Sequence, residues 1–246
     1  MLELALLLVT GIATGFLNVM AGGGSMLSVP MMIFLGVPGT IANATNRIAI
    51  LPQNLSAVIT FFARGFSNFK LSLSLAACTI PGTIIGAHVA AGVPNTQFNT
   101  LLAVIMLLIL LVMMLPESAT LPANTHPSRK RIMAGHLLMV PIGFWGGFIH
   151  IGVGFLLIPV LNRVMRFDLV STNAHKVFIV LCYTSVALLV FSSELELMWK
   201  YGLALALGTT IGGWLAANFQ IQRGTGVIKS TLNLVVVAFI IKLLFF

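Results

Sequence analysis

Acidic residues are scarce in this chain: five among 246, against thirteen lysines and arginines. All five (Glu3, Glu117, Asp168, Glu194 and Glu196) fall at the ends of apolar segments or in loops. That excludes a carboxylate held at membrane depth to relay protons or to bind sodium tightly. It also excludes the facing aspartates of an intramembrane hydrolase, and neither HExxH nor a Ser–His pair at depth takes their place. Charge of either sign is sparse, at 7% of residues, where a soluble domain carries about 25%. The two cysteines, Cys78 and Cys182, sit inside apolar runs and form neither a disulfide framework nor a metal pair. No metal or other cofactor is expected. The first segment carries Glu3, no basic residue and no small-x-small cleavage site, so it reads as a retained helix and not as a signal peptide.

What is present is hydrocarbon. Hydrophobic residues make up 59% of the chain and the mean hydropathy is +1.08, which leaves no water-facing surface. Barrel-strand alternation is absent, so the expectation is an all-α polytopic membrane protein whose helices satisfy their backbone internally and whose first partner is the lipid bilayer. Ten apolar segments follow one another, near 4–21, 25–36, 39–63, 70–91, 98–115, 131–149, 153–165, 168–191, 199–220 and 226–246. A span needs about 20 residues, so the second and seventh are too short to cross comfortably. Each follows a glycine cluster, AGGGS at 21–25 and HIGVG at 150–154. Short, glycine-interrupted segments in matching positions of two halves are the sequence sign of a transporter binding site.

The one long polar stretch, PESATLPANTHPSRK at 116–130, divides the chain into an N-terminal repeat, 1–115, and a C-terminal repeat, 131–246. Gly15–Phe16 matches Gly143–Phe144, and Gly24 matches Gly152. Pro30 matches Pro159, Arg47 matches Lys176, Lys70 matches Lys200 and Gly82 matches Gly212, with an offset that drifts from 128 to 130. The net charge of +8 does not point to nucleic acid, because the basic residues lie in short loops between apolar runs. Arg64 and Lys70, Arg129 to Arg131, Arg163 and Arg166, and Arg223 and Lys229 fall on one side, the cytoplasmic one; Lys200 is the exception. Both termini are then external and the 116–130 loop cytoplasmic. With five segments in each half, the second repeat is inverted relative to the first.

Arg47 and Lys176 each stand eight residues into a long helical segment and seventeen after a proline, Pro30 or Pro159. Eight residues at 1.5 Å rise put each about 12 Å below a membrane face, from opposite sides. A cation at that depth costs about 3 kcal/mol or more unless it is paired. Two of them in matching positions suggest a site for an anion, with arginine's planar fork suited to two oxygens and lysine acting as a point charge. Neutral donors stand beside them: Asn43, Thr45 and Asn46 in ANATNR, and Thr172, Asn173 and His175 in STNAHK. The helices starting after Gly24 and Gly154 would aim N-terminal amides at the same anion. Gly22, Gly23, Gly24 and Ser25, with Gly152 and Gly154, would let backbone approach it, and Asn18 and His150 flank the clusters. The competing reading has both cations snorkelling to the interfaces or hydrogen-bonding backbone carbonyls. His88, His150 and His175 are the candidates for proton coupling. Gln53 and Asn54 read as helix-to-helix bonds, and Trp199 and Tyr201 as interfacial anchors.

GFLNVMAGGGSMLSVPMMIFLGVPGTIANATN, followed by GFWGGFIHIGVGFLLIPVL and STNAHK, resembles the sulfite exporter TauE/SafE family of membrane permeases over nearly the whole chain. The resemblance implies a prokaryotic inner-membrane carrier, most simply an exporter, of a small sulfur-containing anion such as sulfite or an organosulfonate. His150 and Val153 interrupt the family's second glycine pattern. The alternative is an anion channel or passive uniporter for another small oxyanion or carboxylate. A homo-oligomer is compatible with the sequence.

Overall fold

The computed structural model describes residues 1–66, 68–114 and 128–223, and these are helical, without a strand among them. The helices are α1 (Leu2–Met20), α2 (Ser25–Phe34), α3 (Gly39–Ala63), α4 (Phe69–Ala91) and α5 (Asn95–Met114), then α6 (Arg129–Phe148), α7 (Val153–Pro159), α8 (Leu169–Glu194) and α9 (Trp199–Arg223). α7 runs on into a π-helical turn, Val160–Val164. The tenth apolar segment and most of the 116–130 loop lie outside the described residues.

Four of these helices, α1, α4, α8 and α9, are long and apolar enough to cross a membrane by length and composition. The surface fits lipid: Leu73, Ile85 and Val89 on α4 and Leu203, Leu207 and Trp214 on α9 are exposed, while Asn43, Asn46, Arg47 and Gln53 on α3 are buried. A water-soluble protein has the opposite distribution. α2 has ten residues and α7 with its π turn has twelve, about 15 and 18 Å at helical rise. Both fall well short of the ~30 Å of a hydrocarbon core. This is a polytopic helical membrane protein.

Glycines a turn apart set the two main seams. α1 lies on α9 through Gly11 and Gly15 facing Gly208 and Gly212. α4 lies on α6 through Gly82 and Gly86 facing Gly143 and Gly147. At each of these eight positions a Cβ would run into the carbonyl of the facing helix, for instance Thr209 at Gly15 and Thr79 at Gly143. The hydrophobic effect gives no drive between helices in lipid, so close backbone approach by small-xxx-small pairs takes over. A polar stitch follows the second seam, where Thr83 Oγ1 donates to the Gly143 carbonyl at 3.2 Å; another ties α9 to α3, Thr209 Oγ1 donating to the Ala49 carbonyl at 2.8 Å. α3 and α8 pack on each other in the middle, α3 also on α9 and α8 also on α4.

Candidate functional site

Both glycine clusters break the chain and bring the breaks together. After α1, Gly22 adopts φ +80; after α6, His150 and Gly152 adopt φ +58 and +72. These are left-handed conformations that L side chains rarely take. A Cβ on Gly22 would overlap the Cα of Gly154, and one on Gly154 the Cα of Gly22. The two turns therefore touch backbone to backbone. Gly24 is pressed against the Thr14 carbonyl, and Gly23 faces the Phe155 ring. α7 starts at Val153, with Gly152 as its N-cap. Gly154 therefore lies inside the helix, and the expected start after Gly154 is corrected: the left-handed residue that redirects the chain is Gly152.

Breaking α1 and α6 leaves their last carbonyls short of helical donors, deep in the protein, although the Asn18 carbonyl keeps the Gly22 amide at 2.9 Å. At the end of α6, Arg47 of α3 donates to the carbonyls of Gly146 (2.6 Å) and Gly147 (3.0 Å), and Asn43 Nδ2 donates to that of Phe148 (3.0 Å). At the end of α1, Lys176 of α8 donates to Asn18 (3.1 Å) and Val19 (2.6 Å), and Asn173 Nδ2 to Met20 (3.4 Å). In each case a cation takes two carbonyls and an amide takes the last. A positive charge there also meets the negative end of the helix dipole. Arg47 is fully buried, and its guanidinium lies 5.5 Å from the centre of the Phe191 ring. Neither cation snorkels to a surface.

The two charges differ in what else they reach. A small cavity, of about 10 Å³, is lined by Asn18, Gly22, Gln53, Asn54, His150, Val153, Gly154, Lys176 and Val180. Lys176 is on its wall and Arg47 is not. Around it, Asn18 Nδ2 donates to Gln53 Oε1 (3.2 Å), and Asn18 Oδ1 accepts from the Ser25 amide (3.2 Å). The first amide of α2 is therefore bonded to a side chain. Asn46 ties α2 to α3, accepting from Ser28 Oγ at 2.7 Å and donating to Ser25 Oγ at 3.2 Å.

Of the residues singled out by sequence, the structure gathers Asn18, Gly22, His150, Gly154 and Lys176 at this cavity. Arg47, Asn43 and Asn173 serve the helix ends. Thr45 Oγ1 accepts from the Met198 amide at 3.1 Å, and Thr172 Oγ1 is buried with no hydrogen-bond partner among the described residues. His175 bonds Ser72 Oγ at 2.7 Å under the Phe167 ring. His88 is half-exposed and pairs with Glu194 at 3.0 Å. Three residues were not read as site residues: Gln53 and Asn54, which line the cavity, and Tyr183, which bonds His150 at 2.7 Å. Asn54 stands seven residues after Arg47 and Tyr183 seven after Lys176, two helical turns on and so on the same face. That spacing was the available signal.

The sulfite exporter TauE/SafE family profile matches residues 7–243. A probable membrane transporter protein, ORF9, of Sinorhizobium sp. is 29% identical over 242 residues, covering 98% of this chain and 92% of its own. The probable membrane transporter protein YfcA of Escherichia coli (strain K12) is 24% identical over 251 residues, covering 99% and 90%. YunE of Bacillus subtilis (strain 168), also named a probable membrane transporter protein, is 24% identical over 260 residues, covering 96% and 95%. No solved structure matches the chain.

Proposed function

The chain belongs to the sulfite exporter TauE/SafE family and is a membrane transporter of that type; from that premise we propose that it carries a small sulfur-containing oxyanion, sulfite or an organosulfonate, through the cavity at Lys176. The observation that carries this reading is a buried ammonium on the wall of a cavity otherwise lined by amides, an imidazole and glycine backbone. Such a lining offers one charge and several neutral donors, which is what a small anion stripped of water needs. Lys176 shares its protons between the end of α1 and the cavity. Arg47, with the corresponding bonds at the end of α6, holds the opposite turn in place instead of meeting the anion.

The matching bonds at the two broken helix ends, with numbering offset by 128 to 130, support two repeats, 1–115 and 131–246, joined by the 116–130 loop. In this reading the repeats are inverted in a prokaryotic inner membrane, with both termini external, that loop cytoplasmic and transport directed outward. The testing experiment is a calorimetric binding screen of detergent-purified protein against sulfite, sulfate, thiosulfate and small sulfonates, repeated with Lys176→Met. Binding of a sulfur oxyanion that disappears in the variant supports the reading. No binding, or binding indifferent to Lys176, sinks it.

A further inference from the structure

His150 closes one side of the cavity, yet its ring is tied elsewhere. Its Nδ1 lies 2.7 Å from the Tyr183 hydroxyl, the ring centres are 5.7 Å apart, and Tyr183 is fully buried. The Tyr183 ring is seated on Gly146, where a Cβ would come within 2.9 Å of its edge. Gly146 is the same residue whose carbonyl Arg47 holds. The Thr184 hydroxyl also stands beside it but forms no well-aligned hydrogen bond among the described residues, so His150 Nδ1, at 2.7 Å, is the acceptor best placed for the tyrosine.

A buried hydroxyl that fails to donate costs about 1–3 kcal/mol. If Nδ1 carried the proton, the Tyr183 O–H would face a second donor and lose its well-placed acceptor. Tyr183 therefore donates, Nδ1 accepts through its lone pair, and the ring proton of the neutral imidazole resides on Nε2. No described residue bonds Nε2, and His150 lines the cavity.

From this geometry we infer that Tyr183 is a positioning residue that fixes His150 as the Nε2–H tautomer, so that His150 donates a hydrogen bond to the anion held by Lys176. Arg47 supports the arrangement from behind by fixing Gly146, the floor under the tyrosine ring. The role given to Nε2 rests on the anion reading above; the tautomer does not. A site holding an N–H donor here favours ligands with acceptor oxygens toward His150 and disfavours those presenting a hydroxyl hydrogen in that position.

The test is solution or solid-state nitrogen NMR of the full chain labelled with 15N-histidine. His150→Gln identifies the His150 signals, and sulfite titrations accompany the wild type and Tyr183→Phe. Tyr183→Phe keeps the ring on Gly146 and removes only the hydroxyl. The expected wild-type spectrum has an unprotonated Nδ1 and a protonated Nε2, without any anion present. In Tyr183→Phe the ring populates both tautomers, and sulfite affinity falls about twofold, the factor expected when about half the molecules hold the donor tautomer, with thermal unfolding little changed. A proton on Nδ1 in the wild type overturns the inference, as does a Tyr183→Phe protein whose tautomer or sulfite affinity is unaltered. If Tyr183→Phe fails to fold, the wild-type spectrum alone decides the tautomer. A wild type that binds no sulfur oxyanion defeats the anion reading and the donor role with it, while the spectra still rule on Tyr183.

Discussion

Arg47 and Lys176 do the same work on the two helix ends that meet inside the molecule: each gives its charge to two consecutive carbonyls where a helix stops, Gly146 and Gly147 for one, Asn18 and Val19 for the other. A buried cation and an uncapped helix end are each costly alone. Together they cancel, and an ordinary core becomes a place where two polar turns meet. Only Lys176 has the cavity beside it, and the predictions separate the two roles.

Lys176→Met is expected to weaken sulfite binding ten- to hundredfold, because losing a charge-assisted contact costs about 1.5–3 kcal/mol. It also uncaps α1, so melting falls with it. Asn54→Leu provides the cleaner comparison: among the described residues its Nδ2 bonds only the Ile50 carbonyl of its own helix, yet it lines the cavity. A several-fold loss of affinity with unchanged melting, by calorimetry and differential scanning fluorimetry, is the expected pair of results. Unaltered affinity in both variants would move the site elsewhere.

Arg47→Gln is expected to act on stability first. It strips the Gly146 and Gly147 carbonyls of their donors, and melting should fall by several degrees, since each kcal/mol is worth about 2–4 °C in a chain of this size. Arg47→Lys should recover only part, because one ammonium reproduces the two-pronged geometry poorly. Equal melting of Arg47→Gln and wild type contradicts the capping role.

Gly154→Ala places a methyl group against the Gly22 Cα and is expected to abolish sulfite uptake into proteoliposomes by forcing the two turns apart. Gly92→Ala is the matched control: a Cβ there would sit 3.7 Å from the nearest carbonyls, an ordinary contact, so uptake and melting should stay as in wild type. Normal flux through Gly154→Ala would show that the turns need not touch. Counterflow in the same vesicles distinguishes a carrier from a channel.

Ser118→Cys in a background lacking Cys78 and Cys182 is expected to resist membrane-impermeant maleimide in intact cells and to react after permeabilisation. Labelling from outside contradicts the inverted arrangement.

The helix limits were legible because glycine, proline and apolar runs punctuate a membrane chain sharply: α3 begins at Gly39 and ends at Ala63 as its composition indicates. The importance of Arg47 and Lys176 was also legible, from the cost of burying charge. Their partners were not. Backbone carbonyls leave no mark in a side-chain pattern, so nothing in the letters of GFWGGF says that Gly146 and Gly147 will be acceptors. Gln53 and Asn54 were visible but indistinct, since an amide in an apolar helix serves a neighbour as readily as a ligand. The glycines at 11, 15, 82, 86, 143, 147, 208 and 212 stood in plain four-residue steps; which seam each would close depends on partners more than 60 residues away for one pair of helices and nearly 200 for the other.

Those seams have a consequence for how the protein is made. One joins the first described helix to the last, α1 to α9, the other crosses from one half of the chain to the next, α4 to α6, and Arg47 waits for acceptors 99 residues downstream. At about 5–20 residues per second of synthesis, Arg47 is made roughly 5–20 s before its acceptors. In that interval its charge must be sheltered by water, by lipid headgroups or by the insertion machinery. Residues 1–115 expressed alone are then expected to be degraded, and to persist when residues 116–246 are supplied from a second gene. In this chain, order of birth and order of contact run against each other.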